Sequence, residues 1–404
     1  MMFQTGEAIP PTMAGYGELA VRRLCQASGL AELETQAVDG YRIMTESWGQ
    51  RRIEDGPPWS ILTPDSTPIE YSVLLQEEPV SVRVAIEALA DPPSPEGYWS
   101  NAQRMTARLA ETYGLYTEHL HRIEHLFAPR PGLRQPMVAL HVMGWSRTGA
   151  PEGKIYLCVP RSEIAACGPI YDEALTRLGF PGQWQRIAQA LHPDDVVPFF
   201  SLDLSDAPSA RTKVYVQHRG RLTAQRLERF DRLAANPQAG AGPALARIAN
   251  RAEQRSVWAP GASPRTKLQW RSNSRRYWSA DTYVALVHGR SQPIDTVLHQ
   301  FALPTRCRND AESDRMVHEV LDAFAVSDRS RAAYTRCVQS LIGPDPAKQM
   351  YNLTYVSARH DDSGTPRVAV YFNPRMFHPE FGLTNGDLAQ TWRFQGMSVP
   401  RTEL

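Results

Sequence analysis

The sequence predicts an α+β fold in which ten antiparallel strands close into a barrel ringed by α-helices, built as a single domain over residues 1–404. Two observations predict it: a strand pair recurs five times along the chain, and the segments between the pairs carry helical rather than alternating periodicity. A third is the parity within the pairs, which sets apolar residues on one face of each strand and charged or hydroxylated residues on the other.

The first hairpin joins PIEYSVLLQ (68–76) to VSVRVAIEA (80–88) across a short polar turn, both runs being β-branched and alternating. The second joins PMVALHVMGW (136–145) to KIYLCVP (154–160), and the third VVPFFSLDLS (196–205) to RTKVYVQH (211–218). The fourth joins TYVALVHG (282–289) to DTVLHQFALP (295–304), and the fifth YNLTYVSAR (351–359) to RVAVYFNP (367–374). The five pairs thus occupy about 68–88, 136–160, 196–218, 282–304 and 351–374. Between them, residues 98–127, 161–191, 222–252 and 309–342 repeat their apolar positions every three or four residues, the stripe of a helix laid on a sheet. Consecutive hairpins are usually neighbours and open edges are a liability, so closure into a barrel is the simplest arrangement, with an open sheet covered on one face as the alternative. Residues 1–66 and 375–404 read as helical or irregular coverings, with loops at 57–68 and 234–243.

Parity then says what the barrel holds. Thr212, Val214 and Val216 share one face, Arg211, Lys213 and Tyr215 the other; helices cover the apolar face, so the polar face looks into the lumen. The same rule turns Lys154 and Tyr156 inward in the second hairpin, Arg83 and Glu87 in the first, Gln300 in the fourth, and Arg367 and Tyr371 in the fifth. Five cations and three tyrosines converge, with few acids among them. Buried charge is costly without compensation, and a multivalent anion supplies it: guanidinium forks and ammonium groups suit phosphate oxygens, and tyrosine hydroxyls add hydrogen bonds. A diphosphate fits this inventory, whereas ordinary surface positions of a sheet would not repeat the pattern in three hairpins. Glu70, opposite Ile69 and Tyr71, also faces inward, where it either accepts a hydrogen bond from an aromatic N–H or pairs with a cation such as Arg83.

Composition excludes several classes. With 44 Lys+Arg against 43 Asp+Glu, the formal charge of +1 provides no bulk field for nucleic acid or an anionic membrane. No window approaches ~18 consecutive apolar residues and the opening segment has no signal-like apolar core, so the expectation is a soluble, cytoplasmic protein. Its five cysteines are scattered with no C-x-x-C pair and read as free thiols. Asp194-Asp195 and Asp361-Asp362 read as turn or cap residues, not as the aspartate-rich cluster that would hold Mg²⁺ on a diphosphate. The cations are therefore expected to do a metal's work, with no cofactor and no magnesium required. Gly15-Tyr16-Gly17-Glu18-Leu19-Ala20 formally fits a dinucleotide motif but follows no strand, and His121 and His125 lack the rest of a zinc-protease motif.

At these residues the sequence resembles the dimethylallyltryptophan synthase-type aromatic prenyltransferases, whose fold is a ten-stranded antiparallel barrel of repeated α-β-β-α units. The resemblance runs from Thr67 to Pro374. It implies that Glu70 in TPIEYSVLLQ binds an indole N–H, and that Arg83, Lys154, Arg211, Lys213 and Gln300 surround the diphosphate, to which parity adds Arg367. Tyr156, Tyr215 and Tyr371 would shield the allylic carbocation, their π faces attracting it while water is excluded. His141 falls near the proton-accepting lysine of some members, which implies a base; its unperturbed pKa of about 6.5 suits that role, and a satisfied strand histidine is the other reading. Ala302 stands where a second tyrosine is common, and Ala285 near the residue that limits the prenyl pocket, with Ala302 adding room beside it. The implied reaction moves a dimethylallyl group, or alternatively a geranyl group, from its diphosphate to an indole-containing small molecule or cyclic dipeptide. A carrier barrel that binds an isoprenoid diphosphate without chemistry, and a phenol-directed prenyltransferase, are the alternatives.

Overall fold

The structure is a computed structural model that describes residues 10–56, 58, 60, 62–63, 65–130, 137–159, 162–219, 222–236, 241–253, 278–290, 292–360 and 364–377. Ten strands form one closed antiparallel barrel in meander order, with the last strand hydrogen-bonded to the first. They are β1 (Ile69–Leu75), β2 (Pro79–Glu87), β3 (Ala139–Ser146), β4 (Glu152–Cys158), β5 (Val196–Asp203), β6 (Arg211–Arg219), β7 (Trp278–Val287), β8 (Ile294–Ala302), β9 (Leu353–His360) and β10 (Pro366–Phe372). The five expected hairpins are all present, and closure settles against the open sheet. Ten strands make a lumen wider than the eight-stranded case that side chains alone can fill.

Helices precede the first hairpin and follow each of the first four. Those described are α1 (Met13–Ser28) and α2 (Glu34–Thr45) before the first hairpin, then α3 (Pro95–Tyr113), α4 (Glu118–Phe127), α5 (Ile164–Arg177), α6 (Gln183–Ala190), α7 (Ala224–Asp231), α8 (Gly242–Glu253), α9 (Asp310–Ala323) and α10 (Asp328–Leu341). Local chemistry marks their ends. Thr12, Ser94, Thr223, Asn309 and Ser327 cap N-termini through side-chain oxygens, and Gly29 and Gly114 leave α1 and α3 in the left-handed conformation that glycine adopts freely.

The main hydrophobic core lies outside the barrel, between strands and helices. Tyr71, Val84, Met143, Trp145, Val356 and Phe372 pack there against α1, α2, α3, α9 and α10, while Leu157, Phe200, Val214 and Val284 pack against α4 to α7. The Gly15–Ala20 stretch belongs to this packing: a Cβ on Gly17 would sit 2.0 Å from the Tyr41 hydroxyl, and Tyr71 donates to the Gly17 carbonyl at 2.9 Å. Trp145, fully buried against Gly40, is likewise core.

One polar relay is buried in the same outer layer. His218 (β6) and His299 (β8) each turn one ring nitrogen to a carboxylate, Asp195 at 3.1 Å and Asp231 at 2.9 Å, and the other to the Thr282 hydroxyl of β7, both at 2.7 Å. Arg226 pairs with Asp195, and the Gly242 N–H donates to Asp231 at 3.2 Å. Asp195, read from the sequence as a turn residue, does accept from the His192 N–H at 2.7 Å, but its second oxygen anchors this relay; Asp361-Asp362 lies outside the described residues. The single Thr282 hydroxyl is thus the shared partner of both rings. Thr282→Val withdraws the shared partner from both rings and is expected to destabilise the protein by about 2–3 kcal/mol, read as a lowered denaturation midpoint. An unchanged midpoint would show that the hydroxyl contributes nothing to stability.

Candidate active site

Strand pairing divides the lumen into three levels. The hairpin turns all lie at one end of the barrel, and the residues nearest them carry the cations. Lys154 pairs in register with Asp203, Ser201 with Lys213, and Lys213 with Ala285. Arg83 lies beside Gly144, where a Cβ would stand 3.3 Å from its Cγ, so the missing side chain makes room for the guanidinium. Arg367 stands directly opposite Arg359, a like-charge cross-strand pair that an anion between them would relieve.

The sequence reading counted few acids here, and the structure corrects that. Asp203, at the end of β5, accepts from Lys213 Nζ at 2.6 Å and from Arg211 Nε at 2.8 Å, and Glu152 accepts from Lys154 Nζ at 3.2 Å. Both acids have inward parity, so alternation along FFSLD was the signal that would have found Asp203. Against the cost of burial, the charges of Lys213, Arg211 and Lys154 hold the Asp203 carboxyl far below the usual range. Two carboxylates, Asp203 and Glu152, do not balance the four cations Arg83, Lys154, Arg211 and Lys213. Burial first, then Arg83 and Arg211, push Lys154 down to about 8; burial, with Arg211 and Lys154, pushes Lys213 down to about 7. The turn end is thus a crowded cationic socket whose ammonium groups are held short of full stability until an anion arrives.

Above it lies an aromatic level. The hydroxyls of Tyr156 and Tyr215 are 3.0 Å apart with ring centroids at 5.2 Å, and Tyr215 meets Tyr283 at 5.3 Å. Tyr371 faces the same space and lies 6.0 Å from Tyr355, and Lys213 Nζ stands 5.9 Å from the Tyr283 ring centre. Burial raises the phenols of Tyr156, Tyr215, Tyr355 and Tyr371, the last to about 12, so their hydroxyls stay protonated as donors. Tyr283 and Tyr355 were not singled out from the sequence, although each shares parity with an inward residue of its own strand.

The far end carries an apolar wall and acidic residues. Leu140, Cys158 and Phe199 line the apolar wall with Ala85 and Tyr156. Next to Ala85 in register stands Glu70, whose Oε1 accepts from the Thr354 hydroxyl at 2.5 Å, and further round the barrel Asp281, whose Oδ2 accepts from Gln300 Nε2 at 3.2 Å. Burial raises Glu70 to about 8, the Thr354 hydroxyl opposing the rise and the Asp281 charge adding to it. Among the described residues Glu70 pairs with neither Arg83 nor another cation; its partner is the Thr354 hydroxyl. Ser60 donates to Glu87 at 2.6 Å at this end, tying the segment before β1 across it.

Three expectations need correction. His141 does not face the lumen: it pairs in register with the outward Ile86 and Ile155, is fully buried against α3, and shares a 2.8 Å hydrogen bond with Thr106. Burial lowers it to about 4, and no acceptor bound in the lumen reaches it. Gln300 faces inward but its amide is engaged by Asp281 rather than by the cations. Ala285 and Ala302 do not adjoin: Ala285 pairs with Thr296, six residues from Ala302 along β8, a separation of about 20 Å. Ala285 lies beside Lys213 and Ala302 beside Tyr355, at opposite ends of the lumen.

No family model matches the chain. Solved structures match its fold closely. A 5-dimethylallyl tryptophan synthase from Streptomyces coelicolor, solved in complex with DMASPP and Trp, superposes with a TM-score of 0.72 at 22% identity, covering 91% of this chain and 96% of its own. A 6-dimethylallyltryptophan synthase from Micromonospora olivasterospora, also with DMASPP and Trp, gives 0.73 at 19% identity over 91% and 99%. AnaPT from Neosartorya fischeri gives 0.69 at 14% identity over 91% and 95%. The helix-ringed ten-stranded barrel expected from the sequence is the fold of these proteins.

Proposed function

We propose that the protein is an aromatic prenyltransferase that moves a dimethylallyl group from its diphosphate to an indole-containing small molecule, a tryptophan derivative or cyclic dipeptide. The observation that carries this reading is the order of the three levels in one closed lumen: cations at the turn end, tyrosines in the middle, and a carboxyl beside an apolar wall at the far end. A polyanion, an allylic cation and an aromatic N–H are met in that sequence along the axis. The likeness of the fold to tryptophan prenyltransferases supports it.

In the proposed reaction Arg83, Lys154, Arg211, Lys213 and Arg367, with Arg359, receive the diphosphate. They stabilise the charge that grows on it as the allylic C–O bond breaks and the electron pair leaves with the phosphate oxygen. Tyr156, Tyr215, Tyr283 and Tyr371 present π faces to the carbocation and keep water away. The indole, its N–H held by Glu70, attacks through a ring carbon; a C–C bond forms, and the ring proton leaves to an oxygen of the released diphosphate. His141 takes no part, being on the outer face of β3. No step calls on a metal, because the socket's cations neutralise the leaving group.

The full chain incubated with dimethylallyl diphosphate and a panel of indoles is expected to yield a prenylated indole both with and without EDTA. Loss of turnover on chelation, restored by Mg²⁺ alone, would overturn the metal-free reading. Alkylation of phenols but not indoles would favour a phenol-directed enzyme, and donor binding without any product a carrier. Ala285, beside Lys213, is proposed to bound the donor site and Ala302 the acceptor end. A competition between dimethylallyl and geranyl diphosphate tests the donor, predominant geranylation sinking the present choice.

A further inference from the structure

Strand alternation would put Thr354 on the outer face of β9 with Val356 and Ala358, yet its hydroxyl reaches Glu70 inside the barrel. The cause is a β-bulge. Val370 pairs with Val356 and Phe372 with Leu353, so Tyr371 of β10 alone faces both Thr354 and Tyr355. The extra residue turns Thr354 inward while Tyr355 keeps its inward place beside Ala302. Such insertions commonly re-aim one side chain next to a site.

This bulge is held from outside the barrel. Asp310, the first residue of α9 and fully buried, accepts from the backbone N–H groups of Asn352 and Leu353, each at 3.1 Å, and from Asn352 Nδ2 at 2.6 Å. The Asn373 N–H donates to the Asn352 carbonyl at 2.8 Å. Just before them Tyr351 takes a left-handed backbone with φ of 68°, a conformation that costs a non-glycine residue and persists where its surroundings enforce it. Tyr351, Asn352 and Leu353 are thereby clamped, and the next residue is Thr354.

We propose that Thr354 is a positioning residue for acceptor recognition: its hydroxyl saturates Glu70 Oε1, fixes the carboxyl's rotamer, and leaves Oε2 for the N–H of the aromatic acceptor. The inference rests on the proposed transfer to an indole. A hydroxyl donor also stabilises the charged carboxylate, so Thr354 opposes the effect of burial on Glu70.

The test uses Thr354→Val, which keeps the shape and removes the donor, with Thr354→Ser as the variant that restores it. The Glu70 carboxyl is titrated in the free protein by infrared spectroscopy, its band identified by difference against Glu70→Gln, and kinetics follow at pH 7 and pH 9. In Thr354→Val the Glu70 titration is expected to move to higher pH. The kcat/KM for the indole should fall by about tenfold at pH 7 and less at pH 9, with the KM for dimethylallyl diphosphate unchanged. Thr354→Ser should recover both. A Glu70 titration identical to wild type in Thr354→Val overturns the proposal, as does an equal loss at both pH values that serine does not repair. If the valine variant fails to fold by circular dichroism, Thr354→Ala is read by the same criteria. The titration needs no turnover, so a wild-type protein that transfers no prenyl group would refute the proposed function and still leave Thr354 decided by the infrared result.

Discussion

Lys213→Ala is expected to lower kcat/KM for the prenyl diphosphate by on the order of 10²-fold or more, and to weaken the binding of inorganic diphosphate with it. Lys213 is almost fully buried and donates to Asp203 at 2.6 Å, so its charge acts on a leaving group in a water-poor interior, where screening is weak. Arg211→Ala should behave similarly, since the two share one carboxylate. Burial and neighbouring cations hold Lys213 near 7 and Lys154 near 8, both below the ordinary ammonium value. The sign follows: below pH 7 both ammonium groups are charged, and diphosphate affinity declines as pH rises through 7 to 8 and they deprotonate. A bound diphosphate favours the charged forms, so binding near pH 8 should take up protons, read calorimetrically in buffers of different ionisation enthalpy. Wild-type donor kinetics in Lys213→Ala would place this residue outside the site.

Glu70→Ala is expected to cut transfer to N–H indoles by on the order of 10²-fold while leaving diphosphate affinity largely intact, because the carboxyl bonds to Thr354 while the socket's ammonium groups bond to Asp203 and Glu152. Donor ionisation would continue, so the ratio of prenyl alcohol to prenylated indole should rise as water captures the cation. Burial and the Asp281 charge raise Glu70 to about 8, so the hydrogen-bond-accepting carboxylate is the minority form at pH 7 and grows as pH rises. Wild-type transfer under saturating donor should climb through about pH 8, and Glu70→Gln should lose that limb. An equal fall in diphosphate affinity in Glu70→Ala would mean that the residue orders the cations instead.

Much of this site was legible because a strand's side chains alternate with period two. Finding Val214 between Lys213 and Tyr215 is enough to assign both polar residues to one face, and helices of matching apolar stripe say which face is inside. The same rule, applied to β3, would have excluded His141, since Leu140, Val142 and Gly144 hold the inward parity; the resemblance supplied the role, and position along the strand withheld it. Asp203, Tyr283 and Tyr355 obey the rule too. Their own strands, β5, β7 and β9, lack the Lys-x-Tyr pattern that marks β4 and β6, so nothing beyond parity distinguishes them.

The sequence by itself determined five hairpins, their helical connections, the cationic and tyrosine-bearing faces and the inward turn of Glu70, all of which depend on neighbours within a few residues. Only the tertiary structure decided which levels these residues occupy. Closure and stagger of the barrel set Ala285 beside Lys213 and Ala302 beside Tyr355, join Lys154, Lys213 and Arg211 around Asp203, and bring Thr354 onto Glu70. The Thr354 contact is the clearest case: one extra residue in β9 breaks the alternation from which any reading of faces proceeds, and the Asp310 clamp that holds it comes from a helix 42 residues away in the chain. A contact made by register and by a distant carboxylate leaves no periodic trace for the sequence to show.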